Sequence, residues 1–141
     1  MSESPITAKE FLKKIEGDEK LIRQKLYERV YWEELTLNIT SNVDSVRVKP
    51  SGDATTLQKQ IAEIVLIDGE IEHLKHDISY RIAVMSELPT EEYVLLHQVY
   101  VQHISFKAIC KNEKKSYSWV MKLHHKALAD LQRIINKEIY T

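Results

Sequence analysis

Residues 104–128 read ISFKAICKNEKKSYSWVMKLHHKAL, and the fold turns on how this stretch is divided. Phe106, Ile109 and Cys110 are spaced as the inner face of a very short helix. Val120, Leu123, Ala127, Leu131 and Ile134 continue the pattern as a longer one. Asn112 to Ser116 breaks the two apart, and His103-Ile104-Ser105 separates the short helix from an earlier one carrying Val94, Leu95 and Val99. A short helix, a tight turn and a longer helix is the helix-turn-helix arrangement, expected here within Leu88 to Ile135.

On the longer helix the stripe through Val120, Leu123 and Ala127 turns Tyr117, Ser118, Met121, Lys122 and His125 outward, which is the face that would enter a major groove. Ser116 and Ser118 can hydrogen-bond phosphates or base edges, Lys122 can reach guanine or phosphate, and Tyr117 adds a hydroxyl on a flat apolar body. Lys107, Lys111, Lys114 and Lys115 form a collar on the preceding helix and turn, and Lys126 extends the basic run. Trp119 is open to two readings, packing against the neighbouring helices or contact with a base.

Charge supports the same division. Residues 1–88 hold 12 Lys/Arg against 16 Asp/Glu, whereas residues 89–141 hold 8 against 5, so a net charge of −1 conceals a basic C-terminal third. Such clustering suits phosphate binding, and a solvated basic face is the plainer alternative.

Upstream, Thr7 followed by Glu10 has the form of a capping box. Phe11, Ile15, Ile22, Leu26, Val30 and Leu37 then recur at helical spacing, with Gly17 as a candidate break. Asn38 to Asp53 gathers Asn, Thr, Ser, Asp, Pro and Gly and predicts a loop (about 38–54), with Pro50-Ser51-Gly52-Asp53 as its clearest turn signal. Leu57, Ile61, Ile64, Asp68, Ile71, Lys75, Ile78, Ile82 and Met85 alternate steps of four and three, a heptad seam with two polar interruptions. Its partner would be the first segment folded back as a coiled-coil-like hairpin, a second subunit, or both. In a two-fold pairing Asp68 of one copy could meet Lys75 of the other. Pro89 ends the helix at Leu88 and suits the start of the next. The expected architecture is all-α: a helical hairpin over 1–87 for oligomerisation or partner binding, then a three-helix module over 88–141.

The order Leu95…Ile104-Ser105-Phe106-Lys107-Ala108-Ile109-Cys110…Ser116-Tyr117-Ser118-Trp119-Val120…Leu123-His124…Ala127-Leu128…Leu131 resembles region 4 of bacterial sigma factors. With the Thr7-Ala8-Lys9-Glu10-Phe11-Leu12 start, the Ser51 to Asp53 turn and the heptad helix, the chain is similar to the sigma-like small phage and prophage regulators related to the ArpU and RinA groups. That resemblance implies activation of late phage genes, double-stranded promoter DNA as partner, and RNA polymerase as a further one. The sequence departs from the pattern at Glu113 and Lys114, where an apolar residue and a glycine are usual. Glycine there supplies a positive φ without steric cost, so Lys114 must accept it or Asn112 serve instead. The departure keeps a second expectation open: a helical interaction protein, or a polymerase-binding regulator, that does not touch DNA directly.

Enzymatic and metal readings find little support. Glu70 with His73, and His73 with His76, have ligand-like spacing, but a bundle metal site needs a second such motif. Cys110 sits at a core position and reads as a buried free thiol. No phosphate-binding glycine loop is present, so no cofactor is expected. One cysteine and no apolar run of membrane-spanning length point to a cytoplasmic, reduced setting without membrane attachment.

Overall fold

The computed structural model describes residues 6–45 and 50–139, with side chains for residues 6–38 and 55–138. The described chain is all-α, with five helices: α1 (Ala8–Ser45), α2 (Pro50–Met85), α3 (Thr90–Tyr100), α4 (Phe106–Glu113) and α5 (Tyr117–Ile139). No described helix is long and apolar enough to cross a membrane.

The N-terminus of α1 is built as its sequence suggests. The Glu10 amide donates to Thr7 Oγ1 and the Thr7 amide donates to Glu10 Oε1, each at 3.1 Å, so two otherwise orphaned donors are satisfied reciprocally. The helix continues through Gly17 without a break. An isolated glycine in an exposed helix interior costs only about 1 kcal/mol, less than breaking a helix that already packs on both sides of it. The loop expected over 38–54 is much shorter: α1 runs on to Ser45 and α2 begins at Pro50, while residues 46–49 lie outside the described residues. Pro50 opens α2 because proline is pre-set for the first helical position, where its missing N–H would have no partner anyway.

Two compact units divide the chain. One takes the described residues up to Asp18 together with those from Asp77 onward, and the other is Glu19–His76. The cut therefore falls inside α1 and α2, not at Leu88, where the turn before Pro89 suggests it. Leu88 itself is buried.

In the first unit, Phe11, Leu12 and Ile15 of α1 pack with Met85 of α2, Leu96 of α3, and Leu131 and Ile135 of α5, all at 1% exposure or less. Arg81 locks the α1–α2 side: its guanidinium carbon lies 4.7 Å from the centre of the Phe11 ring, and the same group donates to the Phe11 carbonyl at 3.1 Å and to Asp77 at 3.0 Å. Gln132 of α5 reaches the start of α1, accepting from the Ala8 amide at 2.7 Å and donating to the Ile6 carbonyl at 2.9 Å.

In Glu19–His76 the two helices run antiparallel, since Lys25 pairs with Glu70 at 3.1 Å and Arg29, four residues further on, pairs with Asp68. The buried positions on α2 are Gln60, Ile67, Ile71 and Leu74. The seam thus keeps Ile71 from the expected repeat, with Ile64 half-buried, but exchanges Ile61, Asp68 and Lys75 for Gln60, Ile67 and Leu74. Both registers are heptad repeats, and the one chosen leaves Asp68 and Lys75 in contact with water, avoiding the desolvation of two charges. Asp68 is claimed by Arg29 in the same chain, so the cross-copy pairing of Asp68 with Lys75 loses its motive. On α1, Leu26, Val30 and Leu37 are exposed instead of buried, because the two helices of this unit cover only one stripe of each other.

Candidate nucleic-acid interface

α4 is short because both of its ends are specified. Ser105 caps its start, its Oγ accepting from the Ala108 amide at 3.2 Å, and Lys114 ends it in the left-handed region at φ 56°, ψ 44°. Of the two candidates for that conformation the backbone selects Lys114, while Asn112 stays helical. The Lys114 amide donates to the Cys110 carbonyl, so the strained residue also closes the helix. A β-carbon in this region costs about 1 kcal/mol. Lys114→Gly is accordingly expected to stabilise the chain by about 0.5–1 kcal/mol, read as a higher denaturant midpoint with an unchanged slope; a lower midpoint would mean that the lysine side chain contributes more than its backbone costs.

Three residues, Lys114-Lys115-Ser116, separate α4 from α5. Ser116 caps α5, its Oγ accepting from the Trp119 amide at 3.1 Å, so this serine is committed to the helix start. The two helices and α3 close over Leu95, Ile109 and Val120, each at 3% exposure or less, with Phe106, Cys110 and Leu123 half-buried around them. Cys110 is a free thiol at the edge of this cluster and not fully buried as expected.

Opposite that core, Ser118, Lys122 and His125 of α5 are exposed, with Met121 half-buried beside them. Their helical phases fall within one quarter-turn of each other at 100° per residue. Lys107 and Lys111 of α4 are also exposed, and none of Lys107, Lys111 and Lys122 has an ion pair among the described residues. Tyr117 is exposed at the first position of α5.

Two of the basic residues are engaged within the chain. Lys115 lays its ammonium 4.8 Å from the centre of the Trp119 ring. Trp119 is 38% exposed and lines a groove of about 210 Å³ with Val94 and Leu95 of α3. Lys126 sits 2.7 Å from Glu92 and 3.0 Å from Asp130. Burial raises the Glu92 carboxyl pKa, while Asp130, held by the Glu92 carboxyl and by Lys126, is lowered to about 2. Lys126 stands between the two acids and offsets their charge.

Behind the outer face lies a residue that its neighbour in sequence, His125, draws attention away from. His124 is 6% exposed, stacked on Tyr100, with Nε2 2.9 Å from the Tyr100 hydroxyl. Burial first, then the nearby His125 and Lys9, hold its pKa below the ordinary 6.5. The unfolded chain therefore takes up this proton before the folded chain does as pH falls. Stability from His124 is complete above about pH 6.5 and declines as pH drops below it. Thermal melts from pH 8 to pH 5 are expected to show a fall through this window that is absent from a His124→Gln variant; parallel profiles for the two chains would contradict it. The helical spacing of Val120, His124 and Ala127 could have revealed its burial.

Among the ligand-like residues of α2, Glu70 is paired with Lys25, and His73 and His76 are exposed. Comparison with protein-family models, with curated proteins and with solved structures returns no match for this chain.

Proposed function

We propose that α4, the three-residue turn and α5 act as a helix-turn-helix that binds duplex DNA, and that the protein is a transcriptional regulator of the sigma-region-4-like type its sequence resembles. The observation that carries this reading is the outer face of the α4–α5 pair: Ser118, Lys122 and His125 exposed in a row on α5, flanked by Lys107 and Lys111, with all three lysines free of carboxylate partners among the described residues. An acid three or four residues away along a helix would pair with such a lysine; among the described residues none of these three has one.

In this reading Lys122, Ser118 and His125 face base edges in the major groove, and Lys107, Lys111 and Lys114 meet phosphates beside it. Ser116 contributes as a helix cap and Lys126 as the partner of Glu92, so neither is assigned to DNA. Tyr117 and Met121 border the groove-facing row. Activation of late phage genes and contact with RNA polymerase belong to the same proposal through the resemblance, and a cytoplasmic setting through the single cysteine and the absence of a membrane-length apolar run.

Selection of bound fragments from a random duplex pool tests it directly, followed by titration of an enriched fragment against salt. With three to four phosphates neutralised, the affinity is expected to fall about 40- to 150-fold between 50 and 200 mM salt. No enrichment and no duplex binding at low salt would favour a helical interaction protein instead.

A further inference from the structure

We infer that the cleft enclosed by α3, α4, the turn at Lys115 and the start of α5 is a binding site for a free aromatic amino acid of about phenylalanine's size, held as its zwitterion. Its α5 residues, Trp119, Val120 and Leu123, lie about 60–160° around the helix from Lys122. The cleft is therefore on another side of α5 from the row proposed to face DNA, and a ligand in it does not require the chain to bind DNA.

Size comes first. The cleft holds about 210 Å³. Leu95, Ile109 and Val120, one from each of α3, α4 and α5, border it from below and are at 3% exposure or less. Val94 and Trp119 border it from the side, each 38% exposed, so a tryptophan ring is turned to a concave apolar space and not to the core. An apolar cavity of about 150 Å³ accommodates benzene, and this volume suits one ring with a short polar head. It falls below the roughly 300–1,000 Å³ of sites for drug-sized molecules. A ring against Trp119 also gains more than its buried area alone would give.

Charge at the rim selects the head group. Glu91 of α3 and Glu113 of α4 border the cleft, both are exposed, and neither is paired with a base among the described residues. Lys115 borders it as well, its ammonium 4.8 Å from the centre of the Trp119 ring and without a carboxylate partner among the described residues. Two unpaired acids and one unpaired base around an apolar slot match a ligand that carries both signs on one carbon and an apolar branch beyond it. The α-ammonium would meet Glu91 and Glu113, the α-carboxylate would meet Lys115, and the ring would lie on Trp119 over Leu95 and Val120. A purely anionic ligand would face two acids, and a purely cationic one would face Lys115.

Titration of a Trp32→Phe chain with L-phenylalanine tests the inference, read by Trp119 fluorescence and by the Trp119 indole N–H resonance. Trp32 is the other tryptophan of the chain and belongs to Glu19–His76. L-phenylalanine is expected to bind with a Kd of about 0.1–1 mM, the range open to a ligand of its size, and glycine, which lacks the ring, is expected not to bind. 3-Phenylpropanoate lacks the ammonium and phenethylamine lacks the carboxylate; each should bind at least about 5-fold more weakly than L-phenylalanine. Glu91→Gln combined with Glu113→Gln alters exposed residues and should keep the parent's circular dichroism. It should weaken L-phenylalanine by about 5- to 10-fold and leave 3-phenylpropanoate no weaker than before. Absence of L-phenylalanine binding at about 10 mM overturns the inference and leaves the cleft as solvent space only. So does glycine or either analogue binding as tightly as L-phenylalanine, or a double variant that holds L-phenylalanine as the parent does.

Discussion

Ile109→Ala is expected to destabilise the chain by about 3 kcal/mol, within the 2–5 kcal/mol span of large-to-small core substitutions. Ile109 is 1% exposed and is the one fully buried side chain of α4. It fills the space between Leu95 of α3 and Val120 of α5, so its loss leaves a cavity that an eight-residue helix has little else to hold shut. The effect should be uneven across the molecule. Amide exchange in α4 and at the start of α5 is expected to accelerate more than exchange in α1, because the Phe11–Met85–Leu131 core does not include this residue. Uniform acceleration would show that the two clusters open as one. If the DNA reading holds, duplex affinity should fall along with the local order of α4, since Lys107 and Lys111 are carried by that helix.

The largest effect on binding should come from reversing the collar. Lys107→Glu, Lys111→Glu and Lys122→Glu combined are expected to lower duplex affinity by 100-fold or more at about 100 mM salt, and, because Lys107 and Lys111 are the phosphate contacts among them, to flatten the logarithmic salt dependence by roughly two units. All three side chains are exposed and free of acid partners among the described residues, so the melting temperature should change little. That separation matters: loss of binding in a chain that melts normally assigns the face, whereas unchanged binding would remove it from the proposed function. Lys126→Ala serves as the contrast, because Lys126 stands over Glu92 and Asp130. It should act on stability more than on DNA.

The all-α class was legible from the spacing of Phe106, Ile109, Val120, Ala127 and Leu131, and three glycines and three prolines in 141 residues leave little to interrupt long helices. The capping box at Thr7 and the punctuation at Pro89 marked the starts of α1 and α3, because capping is decided by residues close in sequence, whereas Ser116, read toward DNA, turns out to cap α5. Register on α2 was not legible. Leu57, Ile64 and Ile71 serve two seams equally, and only the positions opposite them on α1 choose Ile67 and Leu74 over Asp68 and Lys75. The loop was over-read for a similar reason: Ser, Asn and Gly are poor helix formers individually, and tertiary context outweighs such weak preferences. On the candidate face, exposure of Ser118, Lys122 and His125 followed from periodicity. The engagement of Lys126 by Glu92, 34 residues away, depends on the packing of α3 against α5 and lay beyond any local pattern.

The clasp between Gln132 and the first turn of α1 joins groups 124 and 126 residues apart, and this orders events during synthesis. Phe11, Leu12 and Ile15 emerge from the ribosome first, while Leu131 and Ile135, which cover them, emerge last. The core of this unit cannot close until α5 has been made, and the loop-closure entropy of so distant a contact adds to the barrier. A nascent chain therefore carries an uncovered apolar stripe on α1 for most of its translation. A fragment beginning at Leu88 would have the converse defect, leaving Leu96 and Leu131 without the Phe11, Leu12, Ile15 and Met85 side chains that complete their core.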